Sequence, residues 1–125
     1  MKKIIFTEDA PFPIGPYSQA ILVNGTLYAS GQIAAKCINS EISDVAEQTK
    51  EVCKNIIAVL TAANMELKDV VKTTCFLADM ADFAIFNAVY EQYFSHKPAR
   101  SCVAAKELPK SALVEVEIIA VKGVE

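Results

Sequence analysis

Two segments with helical periodicity, each set between short strand-like segments, constrain the fold of this chain more than any other feature of its sequence. The first spans residues 44–64 and the second about 82–94. With the strands around them they predict the order β-β-α-β-α-β-β, and the apolar residues 4–6 allow a further strand at the N-terminus. Two helices cannot cover both faces of a sheet of this size, so we expect both on one face, in an α+β architecture. The other face is left for self-association.

The strand predictions depend on β-branched residues and on turn signals. The first two strands flank Asn24-Gly25, which supplies the positive φ angles of a type I′ turn and predicts a hairpin. The third is rich in valine and threonine, which favours a strand. The last two lie on either side of a turn at Pro109. The predicted strands are residues 20–23, 26–29, 70–77, 101–105 and 113–121.

The helix predictions depend on a capping residue and on apolar periodicity. Asp44 can accept hydrogen bonds from the free N–H groups that begin the first helix, and Glu47 stands three residues later, as in a capping box. Asn64 is expected to end that helix. Its inner face is predicted to carry Val45, Val52, Ile56, Val59, Leu60 and Ala63, and the second helix an inner stripe of Phe83, Phe86, Tyr90 and Phe94.

The composition predicts one domain with an apolar surface to cover. A chain of 125 residues can bury a core of its own, so we predict a single domain over residues 1–125. Hydrophobic residues make up 53% of the chain, above the roughly 45–50% that is usual for soluble domains. Since no apolar run approaches the ~18 residues of a membrane span, no membrane partner is expected. A subunit interface is the expected place for the apolar surplus.

Charge and cysteine content exclude several other classes of protein. With a net charge of −3, the chain lacks the excess of basic residues that is typical of nucleic-acid-binding proteins. His96 is the only histidine and no two cysteines form a C-x-x-C pair, so no metal site is expected. The basic segment 1–6 has too short an apolar stretch for a signal peptide, so we expect a reducing, cytoplasmic location. The cysteines, expected to be free thiols, are Cys37, Cys53, Cys75 and Cys102, and we interpret Cys37 and Cys53 as small apolar fillers.

Arg100 is the only arginine of the chain, and the other 11 of its 12 basic Lys and Arg residues are lysines. A guanidinium group grips a carboxylate with two parallel hydrogen bonds, and lysine cannot reproduce that geometry. Because every other basic residue is a lysine, the use of arginine at this one position indicates that Arg100 binds a carboxylate. The alternative is an ordinary surface ion pair at a turn.

Glu115 and Glu117 alternate with apolar residues along the last predicted strand, which places both on one face. One interpretation is a pair of charges that keeps an edge strand from aggregating. The other is a carboxylate in a partly desolvated site, where a raised pKa suits a general base. Arg100 and Glu115 stand on either side of the Pro109 turn, so they could converge.

Short motifs follow one another in order along nearly the whole chain. They are Gly15-Pro16-Tyr17-Ser18-Gln19-Ala20, Ser30-Gly31-Gln32-Ile33, Pro98-Ala99-Arg100-Ser101, Leu108-Pro109 and Val114-Glu115-Val116-Glu117. Each motif alone is weak. Together they resemble the reactive intermediate deaminase A (RidA, also called YjgF) family, and the residues fit its deaminase branch.

The resemblance implies a chorismate-mutase-like α+β fold with a mixed sheet, assembled as a homotrimer with sites in clefts between subunits. It implies hydrolysis of reactive 2-imino acids, such as 2-iminobutanoate and 2-iminopropanoate, to 2-oxo acids and ammonia. Pyridoxal-phosphate-dependent dehydratases release these imines and their enamines. The family needs no metal and no organic cofactor, so none is expected here.

Three residues match the family's catalytic positions. Arg100 would take the substrate carboxylate as a bidentate pair, and Glu115 would orient or activate the attacking water. Tyr17 would close over the substrate and help to place it. Because an imine is already electrophilic, positioning alone can supply several kcal/mol and no strong nucleophile is needed.

Further residues match the family's substrate-binding positions. Gly31 and Cys102 would offer main-chain groups to the substrate, so the Cys102 side chain need not react. Ser30 would shape the backbone beside Gly31. Asn87 would lie near the cleft on the second helix.

Other classes of function compete with this interpretation. A thiol enzyme would use Cys102 with His96, if Arg100, two residues away and predicted on the same face of the strand, stabilised the thiolate. Cys102→Ser would separate it from a deaminase. A non-catalytic module would bind small carboxylates through Arg100, but it would gain nothing from the acidic Glu115 nearby. An RNA-cleaving translation inhibitor of the same fold would need a basic stripe, whereas the lysines of this chain are scattered.

Overall fold

The computed structural model describes residues 1–36 and 43–123, which form one six-stranded sheet and two α-helices. The strands are β1 (Lys2–Ile5), β2 (Ala20–Val23), β3 (Thr26–Ala29), β4 (Val70–Leu77), β5 (Ala99–Ala104) and β6 (Val114–Val121), and the helices are α1 (Val45–Ala62) and α2 (Phe83–Tyr93). The sheet order is β1-β2-β3-β6-β4-β5, with β4 and β5 parallel and the other neighbours antiparallel. The predicted α+β fold and the N-terminal strand are confirmed.

The β2–β3 hairpin follows from two residues. Asn24 has φ 50° and Gly25 has φ 81°, which are the positive values that a type I′ turn requires. Val23 pairs with Thr26 across the turn. The predicted hairpin is confirmed. It places β3, and Gln32 after it, next to β6.

Both helices pack on one face of the sheet, as predicted. β6 turns Val116 and Ile118 towards them, and both residues are buried. From α2, Phe86 and Phe94 enter the same core. The opposite face of β6 carries Glu115 and its neighbours at alternate positions. No element of the described residues is packed over that face in the way that the helices cover the first, so it is open in the single chain.

The ends of α1 follow from its capping residues. Asp44 Oδ1 accepts from the N–H of Glu47 at 2.8 Å, so the predicted cap is confirmed. Asn64 adopts φ 59°, a left-handed conformation that ends the helical path. Among the described residues, no helix has the length and apolar character needed to cross a membrane.

Strand β5 begins at Ala99, two residues before the predicted start at residue 101. The cause is tertiary, because parallel pairing with β4 already starts between Lys72 and Ala99. Arg100 therefore lies within a strand and has a defined face, rather than lying in the preceding loop.

Buried amide side chains fix the loops next to the open face. Gln19 is 2% exposed, and its Oε1 accepts from the N–H of Thr7 at 2.7 Å. Asn55 of α1 is also 2% exposed, and its Nδ2 donates to the carbonyl oxygen of Ile33 at 3.1 Å. These bonds satisfy polar groups that would be costly to bury unpaired, and they tie the loops to the core.

Candidate active site

Arg100 lies on the helix-covered face of the sheet. It pairs in parallel register with Thr73 of β4, which is buried, and residues paired across a sheet share a face. Its Nη1 donates to Oδ1 of Asn87 on α2 at 2.7 Å. Within residues 1–36 and 43–123 no carboxylate pairs with Arg100. The described part of the structure therefore does not support the alternative that Arg100 forms an ordinary surface ion pair.

Two aromatic rings hold the guanidinium of Arg100. Its Cζ lies 4.9 Å from the ring centroid of Tyr90 and 5.5 Å from that of Phe83, within the ~6 Å of a cation–π contact. Asn87 engages one nitrogen, so the guanidinium keeps N–H groups for an anion. A cavity of about 380 Å³ opens beside it, and we name the whole cluster the arginine half-site. The cavity is lined by Asn87, Tyr90, Glu91, Phe94, Lys97, Pro98 and Arg100.

Glu115 lies on the opposite, open face of β6. Its carboxylate sits against Gly31, where a Cβ atom would collide with Oε2 and Cδ of Glu115. A side chain at position 31 would therefore force the Glu115 side chain to move. A cavity of about 440 Å³ adjoins the carboxylate, and we name this second cluster the glutamate half-site. The cavity is lined by Tyr17, Ser30, Gly31, Ile33, Pro109, Glu115 and Glu117.

Hydrogen bonds of the N-terminal loop position Ser30 and Tyr17 in the glutamate half-site. Ser30 Oγ donates to the carbonyl oxygen of Ser18 at 2.6 Å. The N–H of Tyr17 donates to the carbonyl oxygen of Gly15 at 2.9 Å, and Gly15 has φ 135°. The Tyr17 side chain is 52% exposed, so its ring is free to contact a molecule bound in the cavity.

The two half-sites do not meet within one chain. Arg100 pairs with Thr73 and Glu115 with Phe76, so the two residues are two strands and three residues apart. This separates their Cα atoms by about 14 Å in the plane of the sheet. Their side chains also leave on opposite faces. The expected convergence of Arg100 and Glu115 around the Pro109 turn therefore does not occur in a single chain.

The environment of Glu115 raises its pKa. Burial disfavours the charged carboxylate, and the like charge of Glu117 adds to the shift. Both groups face the same cavity. A carboxylate shifted in this direction is suited to accept a proton closer to neutral pH.

Glu115→Gln is expected to raise the free energy of unfolding near pH 7. Because the pKa of Glu115 is higher in the folded than in the unfolded chain, the carboxyl costs stability as the pH rises through its folded pKa. Glutamine removes that cost, so the gain should shrink as the pH falls from the folded pKa towards about 4, the usual value for a glutamate, and should be absent below it. Urea unfolding at several pH values measures it. Glu107→Gln at an exposed position is the control, and a gain that did not vary with pH would contradict the prediction.

Gly31→Ala is expected to displace the carboxylate of Glu115. The added methyl group should lower the free energy of unfolding by about 1 kcal/mol, as for other cases of overpacking. In a Glu115→Ala background the same substitution should be nearly neutral, because the colliding atoms are gone. Denaturant unfolding of both single variants and the double variant gives this coupling. An equal cost in the two backgrounds would show that something other than Glu115 opposes the methyl group.

The thiol of Cys102 is not arranged as a nucleophile. Cys102 shares a face with Arg100, as predicted, but burial raises the pKa of its thiol more than Arg100 lowers it. His96 Nε2 is hydrogen-bonded to the carbonyl oxygen of Val70 at 2.9 Å. Val70 begins β4, whereas Cys75, the neighbour of Cys102, lies five residues further along that strand. The thiol-enzyme hypothesis therefore lacks both a thiolate and a nearby base.

The remaining described cysteines are inert fillers of the core. Burial is the main cause that raises the pKa of Cys53 and Cys75 to about 12. Cys37 lies outside the described residues. In the part of the chain that the structure describes, no group of three or more His, Cys, Asp or Glu side chains is placed to hold a metal ion.

Phe83 and Tyr90 were predicted only as core residues, so their contact with Arg100 was missed. A usable signal exists in the sequence. Phe83, Asn87 and Tyr90 are spaced i, i+4 and i+7, which places them on one face of α2. Once Asn87 is assigned to a site, its neighbours on that face become candidates as well. Glu117 was predicted on the same face as Glu115, and it lines the same cavity.

Comparisons with known proteins agree with the sequence motifs. A family model described as Endoribonuclease L-PSP matches residues 7–122. The RutC family protein PH0854 of Pyrococcus horikoshii is 50% identical over 125 residues, covering 98% of this chain and 99% of its own. Human 2-iminobutanoate/2-iminopropanoate deaminase is 43% identical over 126 residues, covering 98% of this chain and 92% of its own.

Solved structures agree as well. The crystal structure of E. coli TdcF with bound serine superposes with a TM-score of 0.86 at 37% identity, covering 97% of this chain and 99% of TdcF. At this level of identity the likeness extends to the family as well as to the fold. The chain therefore belongs to the Endoribonuclease L-PSP family, the family of the RidA/YjgF proteins that its sequence motifs resemble.

Proposed function

We propose that this protein hydrolyses 2-imino acids, such as 2-iminobutanoate and 2-iminopropanoate, to 2-oxo acids and ammonia. The observation that carries the proposal is the opposite charge of the two half-sites. Arg100 offers free N–H groups to a carboxylate. Glu115 and Glu117 offer negative charge to a cation. A 2-imino acid with a protonated nitrogen carries a carboxylate and an iminium cation on adjacent carbons.

Two relatives support the assignment. The human relative bears the name of this deaminase activity. The E. coli TdcF structure holds serine, whose carboxylate and ammonium groups are the same pair of charges. The word endoribonuclease in the family description is not carried over, because Glu115 and Glu117 would repel a phosphate backbone at the glutamate half-site.

The proposed reaction begins with the addition of water to the imine carbon. Glu115 accepts a proton from this water, which a carboxylate of raised pKa is suited to do. Transfer of that proton to the nitrogen turns it into a leaving group, and ammonia departs as the C=O bond forms. The hydroxyl proton lost in this step passes to Glu115 and from there to the ammonia. One water is consumed, one ammonium ion is released, and Glu115 returns to its starting state. Electrons and protons therefore balance without an oxidant or a reductant.

We propose that the complete site forms between two copies in a homotrimer. Since Arg100 and Glu115 face opposite ways, a substrate that touches both needs Arg100 from one copy and Glu115 from the next. The open face also carries large apolar side chains that such a contact would bury, with Tyr28 51% and Val103 50% exposed. This use of the open face accounts for the apolar surplus of the composition.

A coupled trapping assay tests the proposed reaction. Threonine dehydratase generates 2-iminobutanoate, and semicarbazide traps what is not hydrolysed. The wild type should lower trapping, whereas Arg100→Ala and Glu115→Ala should not. Lys54→Ala, at an exposed position of α1, is the control for loss of a positive charge. Unchanged trapping with folded, assembled wild type would overturn the deaminase proposal and favour a carboxylate-binding module.

A further inference from the structure

We propose that Tyr90 is the positioning residue of Arg100. Its ring sets the plane of the guanidinium, so that the free edge meets a carboxylate with two N–H groups instead of one. The proposal relies on the proposed function for the identity of that carboxylate. The contact between ring and guanidinium is itself present in the structure.

The Tyr90 side chain is anchored along its whole length. Tyr90 is 7% exposed, and its hydroxyl lies 2.7 Å from Oγ1 of Thr73, which is fully buried. The ring stacks on Phe94 with centroids 4.6 Å apart and lies 5.4 Å from the ring of Phe86. Turning the ring away would break the hydrogen bond between the two hydroxyl groups and leave the buried hydroxyl of Tyr90 without a partner, which proteins rarely tolerate. The ring is therefore a fixed surface.

Arg100 has few other constraints on its orientation. Asn87 holds Nη1 at one point, and a planar group held at one point can still rotate about it. A rotated guanidinium presents a single N–H to a carboxylate and loses the bidentate geometry. The rings of Tyr90 at 4.9 Å and Phe83 at 5.5 Å limit that rotation.

An aromatic ring suits this task better than an acidic side chain would. A carboxylate next to Arg100 would orient the guanidinium and also occupy the N–H groups that the substrate needs. The ring attracts the cation through its π face and leaves the hydrogen-bonding edge free. Burial also raises the pKa of Tyr90, so the phenol next to Arg100 stays neutral. The ring of Tyr90 can thus orient Arg100 without neutralising its positive charge.

The single arginine allows a direct test by NMR. Arg100 supplies the one arginine Nε–Hε signal of the chain, and the ring current of a stacked aromatic ring displaces it. The displacement should persist in Tyr90→Phe and disappear in Tyr90→Leu. Phe86→Leu is the matched control, because it removes a buried ring of the same stack that is not the one under Arg100. It should leave the Arg100 signal in place.

Kinetics of imine hydrolysis give the functional measurement. Tyr90→Leu should raise KM about ten-fold with a much smaller change in kcat, since the carboxylate is bound alike in the ground and transition states. Tyr90→Phe keeps the ring but loses the hydrogen bond to Thr73, so KM should stay within about three-fold of the wild type. Thr73→Val, which keeps the ring but removes its anchor, should raise KM by about three-fold.

The outcomes separate this proposal from the proposed function. An unchanged Arg100 signal and KM in Tyr90→Leu would overturn the role of Tyr90. So would a Phe86→Leu variant that matched Tyr90→Leu in both measurements, because the effect would then belong to the core in general. If the wild type does not hydrolyse the imine, the proposed function fails, and the NMR comparison alone still decides whether Tyr90 positions Arg100.

Discussion

Arg100→Lys is expected to lower kcat/KM for 2-iminobutanoate about 100-fold, although the positive charge is kept. Lysine presents a compact ammonium group that cannot form two parallel hydrogen bonds to one carboxylate. It also lacks the planar group that Arg100 places over the rings of Tyr90 and Phe83. Most of the loss should appear in KM, because the carboxylate does not take part in bond making. Steady-state trapping kinetics at several imine concentrations would measure both constants.

The reverse exchange controls for the substitution itself. Lys54→Arg, at an exposed position of α1, should leave kcat/KM unchanged. Thermal unfolding of Arg100→Lys should show only a small loss of stability, because Arg100 forms no ion pair within residues 1–36 and 43–123 and only its contacts with Asn87 and the two rings are altered. An Arg100→Lys protein with wild-type kcat/KM would show that charge alone suffices, and the bidentate role would be wrong.

Co-expression of Arg100→Ala and Glu115→Ala chains is expected to restore about a quarter of the wild-type activity, although each variant alone is inactive. The Glu115→Ala chain still carries an intact arginine half-site, and the Arg100→Ala chain an intact glutamate half-site. In random mixtures each half-site is intact in half of the copies, and a site takes its two halves from different copies. In the mixed oligomers, purified through two different tags, one site of every three is complete, so the measured activity should rise to about a third of the wild type.

Two variants that both damage the arginine half-site provide the control for this experiment. Arg100→Ala and Arg100→Glu damage the same half-site, so their mixed oligomers should stay inactive. Recovery in that pair would point to an effect of co-expression on folding. Absence of recovery in verified Arg100→Ala and Glu115→Ala oligomers would mean that the two residues do not serve one shared site.

Local signals in the sequence were sufficient to predict most of the fold. Asn24-Gly25 has a strong preference for one kind of turn, and Asp44 caps a helix that its own periodicity defines. These signals act over a few residues and need no knowledge of distant partners. The start of β5 was missed because Ala99 and Arg100 have little strand preference of their own, and pairing with β4 makes them a strand.

For the candidate site, the sequence could predict which residues of one strand share a face, but not how residues of different strands are arranged. The alternation of side chains along a strand correctly predicted that Glu115 shares a face with Glu117, and Arg100 with Cys102. This alternation depends only on neighbouring residues of the same strand. Whether Arg100 and Glu115 share a face depends on the register of β5 and β6 against β4. That register includes an irregularity between Val70 and Lys72, and alternation within one strand carries no information about it.

Because the half-sites lie on opposite faces, each subunit has two different contact surfaces, one with Arg100 and one with Glu115. A two-fold dimer brings identical surfaces together, so an arginine half-site would meet another arginine half-site and both would stay incomplete. Complete sites need head-to-tail contacts, in which each copy serves one neighbour with each half. Such contacts either close into a ring or continue into a fibre. In the proposed homotrimer the head-to-tail contacts close into a ring, so the division of Arg100 and Glu115 between two faces would give as many sites as subunits.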